Sequence, residues 1–237
     1  MRTYNLSKFW LKYKYWLYLL YVPIYFIGFM VTECVIDGSA NYWVSYSPID
    51  DIIPFVDWFI IFYNLWYPFM FVVGVFLLIK EKQAYERMAL MMIFGFSFSV
   101  AFCLILPNGQ DLRPTAFESE NVFTEMVKSL WESDTNTNVF PSMHVYGSLM
   151  TMFAVLDSKT IKNKWVRLIV ISLGLMICAS TVLLKQHSIL DLFASCILFC
   201  ILYWIIYYNK IFNNYYGAVE YKKEWRKGVL IYKCFVK

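Results

Sequence analysis

The chain has 237 residues, of which 60% are apolar and 21% aromatic, and its mean hydropathy is +0.52. Only 16% of the residues are charged, well below the share in soluble domains, so a water-soluble fold is excluded and lipid is the solvent for most of the surface. The formal net charge of +4 does not indicate nucleic acid, because in such a chain its meaning depends on how the charges fall among loops.

A membrane-spanning helix needs about 20 mostly apolar residues. In chain order, the apolar runs predict spans at 15–33, 58–79, 88–107, 142–156, 165–184 and 189–208. The expected fold is therefore all-α, a six-transmembrane-helix integral membrane bundle. The basic start (Arg2, Lys8, Lys12, Lys14) followed by an apolar run also resembles a signal peptide, with small residues at 38–40 for cleavage. The run is about 19 residues rather than the 7–15 of a signal, and Glu33 and Asp37 precede the small residues. Retention is the expectation; cleavage would leave five spans in the same orientation.

The fourth run is short because charge returns at Asp157 and Lys159. At about 1.5 Å per residue it covers about 22 Å of a hydrocarbon core about 30 Å thick, so its first residues are expected below the outer surface. The one long polar connection is 108–141, and no repeat or linker suggests a second domain. Residues 1–237 are read as a single membrane domain, with core motifs over 106–191 and a basic cytoplasmic tail over 209–237.

Lys and Arg concentrate on cytoplasmic loops. The N-terminus holds four, 80–87 three, 157–167 four and the tail seven, which is 18 of the 21. The other three, Arg113, Lys128 and Lys185, fall in the opposite loops with 12 of the 17 acids. Both termini are therefore expected in the cytoplasm. The tail residues Lys222, Lys223, Arg226 and Lys227 around Trp225 suit anionic inner-leaflet lipid or plain solvent equally.

Cys103, Cys178, Cys196 and Cys200 lie inside apolar runs without metal-ligand spacing and read as buried thiols, while Cys34 and Cys234 fall on opposite sides of the membrane. Trp58, Trp66, Trp165 and Trp204 at span ends read as interfacial anchors or packing.

Ionisable residues near membrane depth are costly and usually functional. Three short clusters collect them on the outer side. Asp111-Leu112-Arg113-Pro114 follows the third span, and a guanidinium fork suits phosphate oxygens. Pro141-Ser142-Met143-His144 opens the fourth. A proline at the first helical position leaves amides free at the positive helix end, Ser142 adds a donor, and His144 can give a proton to a leaving oxygen. Lys185-Gln186-His187-Ser188-Ile189-Leu190-Asp191 opens the sixth. His187 and Asp191, four apart, are expected on one helical face, where the carboxylate orients the imidazole. Lys185 supplies a point charge beside them.

In order and spacing, Arg113-Pro114, Pro141-Ser142-Met143-His144 and Ser180…His187…Asp191 resemble the motifs of the type 2 phosphatidic acid phosphatase superfamily of membrane lipid phosphatases and phosphotransferases. The resemblance covers about 80 residues and three spans. Two positions depart from the pattern: Leu106 stands where a lysine belongs and Thr181 where an arginine does, with Lys185 and Gln110 as candidate substitutes. Ser180-Thr181 with Lys185-Gln186-His187 and Asp191 looks more like the inositol phosphorylceramide synthase-like branch.

The resemblance implies catalytic His187 as nucleophile, Asp191 as its orienting partner and His144 as proton donor. It assigns phosphate binding to Arg113, Lys185 and Ser142, and calls for no cofactor and no metal. The expected activity is a lipid phosphate phosphatase at the extracytoplasmic face. The alternatives are transfer of a phospho-headgroup onto a lipid alcohol, and a non-catalytic lipid-binding or transport member. The expected partners are a lipid phosphate substrate and membrane lipids, without nucleic acid; no oligomeric state is specified.

Overall fold

A computed structural model describes residues 13, 15–36, 41–117 and 120–208, together with the backbone of 220–226 and 229–235. The N-terminal basic residues, the small residues at 38–40 and the side chains of the tail, that of Cys234 included, lie outside the described residues. The described part is a helical membrane bundle. In chain order it comprises α1 (Tyr21–Val35), β1 (Trp43–Val44), α2 (Pro48–Ile52), a 3-10 turn (Asp57–Phe59), α3 (Ile60–Asn64) and α4 (Trp66–Lys80). There follow α5 (Lys82–Ile105), β2 (Asn108–Gly109), α6 (Val122–Ser133), α7 (Met143–Asp157), α8 (Lys164–Leu183) and α9 (Ile189–Tyr203), the last continuing as a π turn, Trp204–Tyr208. The tail backbone forms an antiparallel hairpin, β3 (Glu220–Arg226) and β4 (Val229–Phe235), which no sequence signal had indicated.

Among the described residues, five helical stretches are long and apolar enough to cross a membrane: Tyr15–Val35, Asp57–Lys80, Lys82–Ile105, Lys164–Leu183 and Ile189–Tyr208. They are apolar all round, as lipid-immersed helices must be. Phe71, Ile79, Ile169 and Ile197 face outward, while Trp66, Leu77, Met91 and Ile177 are buried. The fourth expected span, α7, has 15 residues and falls short of that length. It sits in the middle of the bundle against α4, α5, α8 and α9, and ten of its residues are buried. A helix covered by protein needs no lipid-matched length, so its shortness and its central place go together.

Close approach of backbones sets the centre. A Cβ on Gly95 of α5 would lie 2.1 Å from the ring of Tyr146, whose hydroxyl donates to the Met91 carbonyl (2.8 Å). A Cβ on Gly147 would come within 3.0 Å of the Trp66 indole nitrogen, so this glycine lets α4 press its tryptophan onto α7.

At one end of the bundle, Glu81 alone separates α4 from α5, where a longer loop was expected over 80–87. Its carboxylate accepts from the Ser158 hydroxyl (2.5 Å) and from the amides of Lys159 and Thr160 (3.0 Å each). Burial opposes its ionisation, but these donors outweigh that and hold its pKa down to about 2. Arg87 pairs with Asp157 at 2.6 Å. This end is tied shut by ordinary charge complementarity.

At the other end, β1 and β2 pair in parallel, Trp43 with Asn108 and Val44 with Gly109, and bring the 41–53 segment beside the long 106–142 connection. That connection is partly helical. Asn121 caps α6 by accepting from the amides of Phe123 and Thr124.

Candidate active site

The site is assembled at this second end, where α7 and α9 begin. Ser188 caps α9 and forms a capping box with Asp191. Asp191 Oδ2 accepts from the Ser188 amide (3.0 Å) and contacts His187 Nδ1 (3.2 Å), and its Oδ1 accepts from the Ser45 hydroxyl (2.5 Å). His187 therefore precedes the helix, and the expectation that both residues share a helical face is corrected. The capping carboxylate reaches back past the helix start to the ring. With Nδ1 donating to the carboxylate, Nε2 keeps its lone pair.

A second carboxylate supports the same helix start. Asp50, buried in α2, accepts from the Ser188 hydroxyl (2.6 Å) and the Ile189 amide (2.8 Å). Lys185 serves this scaffold. Its ammonium donates to the carbonyls of Asp50 and Ile53, both at 2.6 Å, and burial lowers its pKa. Its backbone has φ 55°, the left-handed turn that leads out of α8, and the next two amides, Gln186 and His187, both donate to the Thr181 carbonyl (3.0 and 3.1 Å). Where the sequence suggested a phosphate cation, two of the three Lys185 donors hold backbone.

Ser142 caps α7, its hydroxyl accepting from the Val145 amide (3.4 Å). Pro141 thus precedes the cap rather than occupying the first helical position. Ser195 joins the two helix starts by donating to the carbonyls of Ser142 (2.8 Å) and Asp191 (2.7 Å). His144, one residue into α7, lies between two rings: Tyr63 at 4.1 Å and Trp66 at 4.2 Å between centroids. The His144 and His187 centroids are 6.1 Å apart. Trp66 is thus a wall of the site and not an interfacial anchor, whereas Trp58, Trp165 and Trp204 are exposed on the bundle surface.

Arg113 arrives from the long connection. Its terminal nitrogens donate to the carbonyls of Trp131 (3.3 Å), Asp134 (2.7 Å) and Thr135 (2.9 Å) and to the Gln186 side-chain oxygen (2.8 Å). The guanidinium lies over the Trp131 ring at 5.4 Å, and burial lowers its pKa. Asp111 does not pair with it, accepting instead from Tyr42 and Asn136. Gln186 carries Arg113 toward the histidines, because its amide nitrogen donates to Asp134 Oδ2 (3.2 Å), which also accepts from the Tyr63 hydroxyl (3.2 Å). Burial, with Glu33 nearby, pushes the Asp134 carboxyl above the usual carboxylate range.

The structure thus brings His144, His187, Asp191, Ser142 and Arg113 to one end of the bundle, with the Lys185 ammonium turned onto the 50–53 backbone. Leu106 is exposed, and Thr181 is buried with its hydroxyl returned to the Cys178 carbonyl (2.7 Å). Gln110 is buried with an unpartnered side-chain nitrogen. Ser45, Asp50, Tyr63, Trp66 and Asp134 were not singled out as site residues in the sequence. Ser47-Pro48-Ile49-Asp50 does carry the spacing of a capping box, which the structure contains. The other four are recognisable only once the chain is folded. The described cysteines are all free.

The sequence model of the PAP2 superfamily matches residues 88–215, just over half of the chain. No curated protein and no solved structure matches it.

Proposed function

The chain belongs to the PAP2 superfamily, and from that premise we propose that it is a membrane-embedded lipid phosphatase that cleaves a phosphate ester through a phosphohistidine on His187. The observation that carries the reading is the imidazole of His187 held at Nδ1 by Asp191, with the ring of His144 6.1 Å away. A nucleophile about 3–3.5 Å from phosphorus and a proton donor about 2.6–3.2 Å from the leaving oxygen fit between two such rings.

In the first step a bond forms from Nε2 of His187 to phosphorus, the bond to the leaving alcohol breaks, and the proton of His144 passes to the departing oxygen. In the second step water attacks, His144 takes its proton, the phosphorus–nitrogen bond breaks and the phosphate leaves. Asp191 stabilises the charge on the His187 ring. Arg113 and the amides at the start of α7 hold phosphoryl oxygens.

A lipid substrate is supported by an apolar cavity of about 540 Å³ between α1, α4 and α5, lined among others by Tyr25, Phe26, Gly74 and Met88. Trp66 is one of its walls and also packs on His144, so a hydrocarbon chain in the cavity would be separated from His144 by that one indole. The distribution of Lys and Arg supports cytoplasmic termini and an extracytoplasmic site. Transfer to an alcohol is the second reading. It is favoured by Thr181, the departure that the inositol phosphorylceramide synthase-like pattern likewise tolerates.

The test is a panel of lipid phosphates offered to purified protein in detergent with chelator, following released phosphate and released alcohol. Release that disappears in His187→Ala supports the hydrolase. Alcohol release only when an acceptor lipid is present supports transfer, and turnover that survives His187→Ala overturns the phosphohistidine.

A further inference from the structure

The two histidines are held in different ways. His187 has a carboxylate of its own in Asp191, but among the described residues His144 has none. Its imidazole is gripped by two rings, Tyr63 at 4.1 Å with 24° between planes and Trp66 at 4.2 Å with 36°. Aromatic faces carry the negative side of a quadrupole, so such a stack suits the protonated imidazole that a proton donor must present. A stack fixes the plane of a ring and leaves it free to slide and turn within that plane. The aim of His144 therefore depends on how firmly its two neighbours are held.

Trp66 is buried and pressed against Gly147. Tyr63 is held at its far end, where its hydroxyl donates to Oδ2 of Asp134 (3.2 Å). Asp134 is placed in turn by α6, which it ends as the C-cap, its amide donating to the Leu130 carbonyl (2.8 Å). The apolar face of that helix lies on the same tyrosine: Val127 is buried in one cluster with Ile60, Tyr63 and Leu184, and Phe123 and Leu130 pack against it.

The carboxylate is steadied from its other side as well. Oδ2 also accepts from the Gln186 amide nitrogen (3.2 Å), and the Gln186 oxygen takes a hydrogen bond from Arg113 (2.8 Å). The same arginine nitrogen donates to the Asp134 carbonyl (2.7 Å). Asp134 is thus fixed through its helix, its backbone and Gln186, and it makes no hydrogen bond to either histidine. What it reaches is the ring on which His144 lies. Tyr63 falls outside the stretch 88–215 that matches the superfamily model, so this support draws on sequence beyond the match.

We infer that Asp134 is a positioning residue for the proton donor, fixing through the Tyr63 hydroxyl the ring against which His144 is stacked. The inference rests on the phosphohistidine reading above, in which His144 gives its proton to the leaving oxygen as the phosphorus–oxygen bond breaks. A misaligned His144 costs rate in proportion to how much the leaving group needs that proton. An alkanol needs it, and 4-nitrophenolate departs without it. A weakened hold on the phosphoryl oxygens slows both alike.

The experiment measures kcat/KM for octyl phosphate and 4-nitrophenyl phosphate in detergent with chelator, following octanol and 4-nitrophenol, for the wild type, Asp134→Ala, Asp134→Asn and Tyr63→Phe. Each variant is divided by the wild type on the same ester. Asp134→Ala is expected to lose about 10- to 100-fold on the octyl ester, a part of what a positioned acid supplies, and less than about threefold on the nitrophenyl ester. Tyr63→Phe, which leaves Asp134 on Gln186, is expected to show the same contrast with a loss of about 3- to 10-fold on the octyl ester, and to add less than about twofold to Asp134→Ala. The Asn oxygen accepts both hydrogen bonds, so Asp134→Asn is expected within about threefold of the wild type on both esters. Should Asp134→Ala fail to insert, Tyr63→Phe decides. Equal losses on the two esters, or no loss on the octyl ester, overturn the inference and leave the phosphohistidine standing. Release that persists in His187→Ala, or no release from either ester by the wild type, overturns both.

Discussion

The two halves of the site are built to different standards of charge. On the histidine half, each group has a dedicated partner: Asp191 on His187, Ser45 on Asp191, and Tyr63 and Trp66 on the faces of His144. On the half proposed to hold phosphate, one arginine is itself held by carbonyls and Gln186, and the neighbouring lysine is a backbone staple. The difference teaches that the proposed nucleophile can be fully organised while the basic groups proposed to hold phosphate are themselves tied to the fold. The two halves can then be broken separately.

The sharpest break is His187→Ala, expected to lower ester cleavage by about 10⁴-fold or more with unchanged membrane insertion. Steady-state rates and membrane fractionation check it. Asp191→Asn keeps the shape but loses the charge that steadies the ring, and a fall of about 10³-fold in kcat is expected, with a displaced pH–rate profile.

On the other half, Arg113→Lys keeps a charge but loses the planar fork, and kcat/KM is expected to fall about 10- to 100-fold. Tyr63→Phe retains the stack on His144 and removes only the hydroxyl on Asp134, for an expected loss of about 3- to 10-fold. The smallest effect on rate is expected for Lys185→Gln, less than about threefold. The same variant should lose about 2 kcal/mol of stability, read as a lower Tm in detergent, because two hydrogen bonds from a charged group disappear. A large loss of rate at unchanged Tm would place Lys185 back among the phosphate ligands.

Much of this was legible in the sequence because the membrane imposes simple rules. Apolar run length located the helices to within a few residues except at Glu81, where a loop was expected and one residue suffices. Motif order put Arg113, His144 and His187 at one end. Three things were hidden. The short run at 142–156 read as a span, but its place at the centre depends on close contacts at Gly95 and Gly147 that no hydropathy profile records. The spacing of His187 and Asp191 suggested a shared helical face, while the contact is made by a capping box that excludes His187 from the helix. Lys185 was read by its charge alone, and only the fold shows carbonyls of Asp50 and Ile53 meeting its ammonium. Ser45 and Asp134 lie far in sequence from the histidines and reach them through strand pairing and a loop that local pattern does not specify.

The central claim is that His187 becomes covalently phosphorylated during turnover. It is tested most directly by quenching the protein with an activated 4-nitrophenyl phosphate ester, which needs little help from His144 to lose its leaving group, and mapping the acid-labile adduct by mass spectrometry. The account predicts a phosphoryl adduct on the peptide containing His187, absent in His187→Ala and accumulating in His144→Ala, where water is no longer activated. Turnover with no adduct in either protein, or an adduct on another residue, would contradict it.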